Sequence, residues 1–357
     1  MQKLPNDDPR EILSAIYADV RGRPEDELTQ HPRFADTAFR YYLPKLKLLD
    51  ALSNNKRNIV FNHDFFTPEM MYDVAEKDAV AYFIVASTRE KLHPHECFFP
   101  WHLLQTARHN KQLAIAIPGS KNWLADALLG TNKPHRIDLF QQLRNSNIFA
   151  STLVSLSHPA GDTPTYRSVE LDNLELDVLQ YTTPGTTWDS MRSVNVPPEI
   201  TQYSYPTYCP ACQIIPGNVY ANTWLSVVSE TAPCGWFNEI WDTAHAMPNE
   251  FFPTEKIAKP LCAGRMFLVS APRGYLAHLR KLGFETFGDV IDESYDNYTT
   301  ADATNAAIVL ELERLSKENM PALYEKLLPR LQHNQNLIYS EKLYEPTRNF
   351  LENINTV

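Results

Sequence analysis

The stretch that decides the fold is residues 226–296, SVVSETAPCGWFNEIWDTAHAMPNEFFPTEKIAKPLCAGRMFLVSAPRGYLAHLRKLGFETFGDVIDESYD. Apolar runs at Trp224–Ser229 and Met266–Ser270 predict two strands. Between them, the segment Phe-Pro-Thr-Glu-Lys at 252–256 predicts a helix that its threonine caps and that begins at its glutamate. Two strands joined by a helix are typical of a parallel α/β sheet.

The same alternation of short apolar runs and helical segments extends along the chain. Further strands are predicted at Asn58–Phe61, Val80–Ala86, Leu113–Ile117, Thr152–Leu156 and Glu285–Phe287. Helices are predicted at Phe99–His109, His135–Leu143, Ala301–Lys317, Met320–Gln332 and Ser340–Ile354. A stretch rich in proline, 161–216, is the best candidate for a linker. We expect two α/β lobes and a helical C-terminal tail.

Composition excludes several classes of protein. The 357 residues carry 33 Lys and Arg against 43 Asp and Glu, a net charge of −10, so only a local patch is available for nucleic acid. The 11 glycines form neither GxGxxG nor GxxxxGK[ST]. Apolar runs are too short for membrane insertion, and five irregularly spaced cysteines do not suggest a disulfide framework. We expect a cytoplasmic protein.

The residues around the predicted helix start have the chemistry to bind a nucleotide diphosphate. Backbone N–H groups and the positive end of the helix dipole attract a pyrophosphate, and the Lys256 ammonium adds a charge. Glu255 is able to accept hydrogen bonds from ribose hydroxyls. The plain alternative is an ordinary capped surface helix with a glutamate in its first turn.

The order of the motifs resembles a known family. A strand end at Ser229–Thr231, the segment Phe252–Lys256 and a second strand at Arg265–Ser270 follow one another in an order that resembles the nucleotide-sugar-binding lobe of the α-1,3-fucosyltransferases. The chain looks still more like the relatives of that lobe encoded by large DNA viruses and bacteriophages, whose motifs it matches in order at Val228–Thr231, Phe252–Lys256, Gly283–Phe287 and Asp292–Asp296. The resemblance covers residues 214–310, and the strand end here is Ser-Glu-Thr where the fucosyltransferases have Glu-Asn-Ser.

This resemblance implies a glycosyltransferase with two Rossmann-like lobes, the GT-B architecture, and a nucleotide-diphosphate sugar of UDP or GDP type as donor. It needs no other cofactor and no metal. The donor site would comprise Glu230, Thr254, Glu255 and Lys256. Arg136 joins them as a second phosphate clamp, because the stretch Asn-Lys-Pro-His-Arg at 132–136 resembles the segment that opens the same lobe.

The expected division places an acceptor-side lobe at 1–115, with an alternative boundary near 200. The nucleotide-sugar-binding lobe follows at 116–335, and a C-terminal helix at 336–357 packs back on the first lobe. If the transfer inverts, a carboxylate must take the acceptor's proton. Asp64 and Glu96 are the candidates for this base, since both follow or adjoin predicted strands of the first lobe.

The acceptor group is a hydroxyl, but the sequence does not identify the molecule that carries it. The viral and phage resemblance favours a hydroxymethylated pyrimidine in phage DNA, which would place the protein in a host cytoplasm. A glycan or protein acceptor fits equally, and so does a non-catalytic nucleotide-sugar-binding or structural viral protein. The local positive charge for DNA would come from Lys45, Lys47, Lys56, Arg57, Arg108 and Lys111. A zinc site built from His93, His95, Cys97, Cys209 and Cys212 is a minor alternative.

Overall fold

A computed structural model describes residues 58–62, 81–85, 96–110, 112, 115, 121–131, 133–157, 194–195, 208–209, 215–231 and 251–354. Contacts between Cα atoms divide the chain into two units. One comprises Met1–Leu104 together with Glu341–Val357, and the other is Gln105–Ser340.

The unit Gln105–Ser340 is built on a four-stranded parallel sheet. Its strands are β4 (Trp123–Thr131), β5 (Thr152–Ser157), β8 (Thr223–Ser229) and β9 (Met266–Ser270), in the spatial order β5-β4-β8-β9. Two short strands, β6 (Val194–Asn195) and β7 (Tyr208–Cys209), pair separately in antiparallel fashion. The α/β class with a parallel sheet is therefore as predicted.

Helices connect and cover these strands. They are α2 (Pro134–Arg144), α3 (Gly217–Asn222), α4 (Glu255–Ala263), α5 (Tyr275–Lys281), α6 (Ala301–Leu315) and α7 (Met320–Tyr339), preceded by α1 (Trp101–His109), which crosses the boundary between the units. Helix α2 packs with α6, and α4 packs with α7.

The order of the strands places a topological switch point between β4 and β8. The chain leaves β4 through α2 towards β5 on one side, whereas it leaves β8 through α4 towards β9 on the other. Because such crossovers are right-handed, α2 and α4 cover opposite faces of the sheet. The carboxyl ends of β4 and β8 consequently border a crevice of the kind in which open α/β sheets bind ligands.

The interior strands are buried along their whole length. All seven residues of β8 and all five of β9 are buried, as expected for strands covered by helices on both faces. The loop between α4 and β9 turns through Gly264, whose φ of 60° is the left-handed conformation that closes the helix. A methyl group there would overlap the Ile115 side chain, so a residue with a Cβ would also clash at this position.

One sequence expectation is wrong in this unit, and one of its strands is not predicted by the sequence. Glu285–Phe287 was expected as a strand, but it is irregular and its Glu285 backbone hydrogen-bonds the Asn334 side chain of α7 at 2.8 Å. The central strand β4 was not predicted, because its alanines and leucines favour a helix by intrinsic propensity. Burial between two neighbouring strands outweighs that propensity.

The other unit contains a three-stranded parallel sheet of β1 (Asn58–Asn62), β2 (Ala81–Val85) and β3 (Glu96–Phe98) in that order. Helix α8 (Glu345–Ile354) packs beside β3. Thr347 of α8 donates to the Phe98 carbonyl at 3.3 Å.

The predicted strand Leu113–Ile117 lies outside the described residues except for Ile115, and most of the predicted linker lies outside them too. Within the part of the chain that the structure describes, no helix combines the length and the apolar character that a membrane crossing requires.

Candidate functional site

The amino end of α4 begins where the sequence predicts. The Thr254 hydroxyl accepts the Lys256 N–H at 3.3 Å, and the Thr254 carbonyl accepts the Ala258 N–H at 3.2 Å. The predicted capped helix beginning at Glu255 is confirmed. Lys256 Nζ lies 2.6 Å from Glu255 Oε1, and their side chains are 18% and 16% exposed.

Glu230, the residue that follows β8, anchors this helix start to the sheet. Its side chain is fully buried, and four hydrogen-bond donors of the described residues contact its carboxylate. One oxygen accepts the Thr254 N–H at 3.1 Å and the Tyr275 hydroxyl at 2.8 Å. The other accepts the Thr254 hydroxyl and, at 3.3 Å, the Thr231 N–H. Both oxygens of the Glu230 carboxylate therefore accept hydrogen bonds from neighbouring residues.

The start of α2 lies against the same residues. His135 Nε2 is 3.1 Å from the Glu230 carbonyl oxygen, and Arg136 Nη2 donates to that oxygen at 3.4 Å. Lys133 Nζ donates to the Thr231 carbonyl at 3.2 Å. The residues that open α2 and those that follow β8 therefore meet at the switch point, as the carboxyl ends of adjacent parallel strands must.

Positive charge is concentrated at this place. The pKa of His135 is lowered to about 3, chiefly by burial and also by the nearby charges of Arg136, Lys133 and Lys256. The imidazole is therefore neutral at physiological pH. Burial also lowers the pKa of Arg136, whereas the carboxylates of Glu255 and Glu230 oppose the change. Three cations, Lys133, Arg136 and Lys256, thus face two carboxylates.

The neutral imidazole has a defined tautomer. Because a carbonyl oxygen only accepts, Nε2 of His135 must carry the proton in its bond to Glu230, which leaves Nδ1 as an acceptor. This Nδ1 is buried and has no hydrogen-bond partner among the residues that the structure describes.

The charges at the start of α2 are the reverse of those that stabilise a helix. A helix amino end favours acidic side chains, yet the first turn of α2 contains none; Lys133 stands at its N-cap position and Arg136 lies in the first turn itself. Lysine has no acceptor, so the Lys133 side chain at the N-cap position satisfies none of the first N–H groups. An anion bound at this end would complement both the dipole and the cations.

The structure brings together Arg136, Glu230, Thr254, Glu255 and Lys256 of the predicted site residues. Of the two candidate bases, Asp64 lies outside the described residues. Glu96 begins β3, where its backbone pairs with Phe83. The assignment of either residue as the base stays a prediction.

Sequence reasoning missed three residues of this constellation. Lys133 and His135 stand beside Arg136 at the start of a predicted helix, and that position was the available signal. Tyr275 has no comparable signal, since it meets Glu230 across 45 positions of sequence.

The carboxylates of the acidic segment 289–296 accept hydrogen bonds from backbone N–H groups and a hydroxyl of the same unit. Glu293 accepts the Phe287 N–H at 2.6 Å and the Thr286 hydroxyl at 3.1 Å. The Asp296 carboxylate accepts the Leu276 N–H at the start of α5 at 3.2 Å. Among the described residues, no group of three or more His, Cys, Asp or Glu side chains is arranged to hold a metal ion.

Asp296 gives the stability of this unit a pH dependence. Its pKa is raised to about 7, chiefly by burial and also by Glu293, whereas the unfolded value is about 4. The folded carboxyl therefore keeps a proton that the unfolded chain releases, and this stabilisation is complete below pH ~4 and lost as the pH rises through ~7. Between these values we expect wild type to lose about 4 kcal/mol of unfolding free energy relative to Asp296→Asn. Urea unfolding of both proteins across this range measures the difference, and parallel curves would contradict it.

Comparisons with known proteins give no match for this chain: no protein-family model, no curated protein and no solved structure is significantly similar to it.

Proposed function

We propose that the protein is a glycosyltransferase that binds a nucleotide-diphosphate sugar at the switch point between β4 and β8. The observation that carries the proposal is the meeting of two helix amino ends, those of α2 and α4, with Lys133, Arg136 and Lys256. A diphosphate carries two to three negative charges, roughly what three cations offset by two carboxylates and two helix dipoles attract.

The two helix ends take different parts in the proposal. The end of α4 already has a threonine cap and the Glu230 carboxylate beside it, whereas the end of α2 has neither an acidic side chain nor a side-chain cap. We therefore place the diphosphate towards α2. The partly exposed Lys256 side chain reaches the diphosphate from the α4 side, and the buried Arg136 supplies a second positive charge at the start of α2.

Glu255 is assigned to the ribose of the bound nucleotide. In the structure it pairs with Lys256 at 2.6 Å. When a phosphate oxygen accepts from the Lys256 ammonium, the Glu255 carboxylate accepts hydrogen bonds from the ribose hydroxyls. The cations stabilise the departing diphosphate, the task that a metal ion performs in other transferases.

The unit formed by Met1–Leu104 and Glu341–Val357 is assigned the acceptor side of a GT-B enzyme. Support comes from its own parallel sheet, β1-β2-β3, and from the contact of α8 with β3. The resemblance to viral and phage relatives favours a hydroxymethylated pyrimidine of DNA as acceptor, with a glycan or protein hydroxyl as the alternative. Asp64 or Glu96 would take the proton of the attacking hydroxyl.

Calorimetric titration with UDP and GDP tests the donor site. Replacing Lys256 by alanine should weaken binding of the nucleotide that wild type prefers about 10-fold, because a charge-assisted hydrogen bond to phosphate is lost. The matched control is Lys281→Ala, which removes an exposed lysine from the last turn of α5 and should leave binding unchanged. Equal affinities of Lys256→Ala and wild type would refute the site.

Turnover separates an enzyme from a binding protein that keeps the donor site. A glycosyltransferase slowly hydrolyses its bound donor when no acceptor is present, and it transfers sugar when the right acceptor is supplied. Incubation with UDP- and GDP-sugars and a hydroxymethylated oligonucleotide should give both products. Tight binding with neither hydrolysis nor transfer would favour the non-catalytic alternative.

A further inference from the structure

Among the residues that the structure describes, four hydrogen-bond donors contact the carboxylate of Glu230. Two of them are backbone N–H groups, from Thr231 and Thr254, which cannot reverse their direction. The other two are the hydroxyls of Thr254 and Tyr275. A buried carboxylate with four donors is satisfied only as an acceptor on both oxygens.

This arrangement fixes the proton of the Thr254 hydroxyl. Because that hydroxyl donates to Glu230, its lone pairs point away from the carboxylate and are free to accept. They accept the Lys256 N–H and the Lys256 ammonium, each at 3.3 Å. The ammonium is held from a second side by the Thr231 hydroxyl at 3.2 Å, and Thr231 itself adjoins Glu230.

From these contacts we infer that Glu230 is a positioning residue, which makes no contact with the donor and acts through Thr254 to aim the Lys256 ammonium. The inference rests on the proposed function, because Lys256 is the group that meets the diphosphate. It replaces the expected role of Glu230 as a residue that contacts the donor. The full burial of its side chain and its four protein donors support the change.

A glutamine at this position cannot reproduce the contacts. Whichever way its amide is turned, the NH₂ group faces a backbone N–H, either that of Thr254 or that of Thr231. One orientation also makes the Thr254 hydroxyl an acceptor of the amide, which removes a lone pair from Lys256. The helix cap and the direction of the ammonium are then lost together.

A double-mutant cycle on the full chain tests the relay, with UDP and GDP as the ligands. Glu230→Gln and Thr254→Val should each weaken nucleotide binding about 10-fold, and the double variant should also lose about 10-fold rather than 100-fold. Thr254→Ser keeps the hydroxyl and should bind within about two-fold of wild type. Thr304→Val is the matched control, since it removes a buried hydroxyl from α6.

The dissociation constants are measured well below the melting temperature of each variant, so that a purely structural effect moves the melting temperature and leaves the affinity alone. The inference would be overturned if the double variant lost about 100-fold in nucleotide affinity, the product of the two single losses. It would also be overturned if both single variants bound nucleotide as tightly as wild type. If those single variants bind normally while Lys256→Ala does not, the proposed function stands and the relay alone fails. If wild type binds neither UDP, GDP nor inorganic pyrophosphate, both fail.

Discussion

Replacing Arg136 by alanine should weaken the binding of UDP or GDP by about 100-fold, close to 3 kcal/mol. The Arg136 side chain is 3% exposed and lies at the start of α2, where the negative charges of Glu255 and Glu230 stabilise its positive charge. Without the guanidinium, only Lys133 and Lys256 compensate the negative charges of Glu230 and Glu255, so the site attracts a diphosphate less strongly. Calorimetry on the folded variant measures the loss.

Two further variants separate charge from fold. Arg136→Lys keeps the charge without the planar group and should recover part of the affinity. Arg144→Ala removes an exposed arginine at the far end of the same helix and should bind like wild type. If Arg136→Ala is folded by circular dichroism and binds within about two-fold of wild type, the placement of the diphosphate at α2 is wrong.

Replacing Asp126 by asparagine should lower the free energy of unfolding by about 3 kcal/mol, through the loss of a buried ion pair. Arg265 Nη2 donates to Asp126 Oδ1 at 2.9 Å, and the two side chains are 5% and 4% exposed. Burial raises the pKa of Asp126, while Arg265 and the hydroxyls of Thr223 and Ser226 oppose it. The substitution leaves a buried guanidinium without a counter-charge between β4 and β8.

Chemical denaturation followed by circular dichroism measures this loss. Glu318→Gln is the control, because it breaks an ion pair with Arg314 whose partners are 43% and 48% exposed. Exposed pairs contribute less than about 1 kcal/mol, so the control should change little. A similar small effect for both variants would show that the interior pair contributes no more than a surface one.

Local sequence signals predicted the elements that flank the site. The strands β8 and β9 are short apolar runs with clear ends, and Thr254 before a charged first turn is a strong mark of a helix start. Strand β4 carries a helix-favouring sequence and becomes a strand only through its neighbours β5 and β8. The switch point depends on that strand, so sequence alone did not locate it.

The candidate site was predictable as residue types and less so as an arrangement. Arg136 and Lys256 were predicted from motifs, yet their proximity depends on the pairing of β4 with β8, which motifs do not encode. Glu230 was predicted as a ligand contact, whereas its burial and its bonds to Thr254 and Tyr275 suit a positioning residue. Long-range contacts of this kind leave no periodic trace in a sequence.

A crystal structure of the full chain with UDP or GDP bound would measure most directly where the diphosphate lies. The account predicts phosphate oxygens within hydrogen-bond distance of Lys256 Nζ and of the first turn of α2, with the Glu230 carboxylate still bonded to Thr254. A nucleotide bound away from the carboxyl ends of β4 and β8, or a switch point closed by protein in the complex, would contradict it.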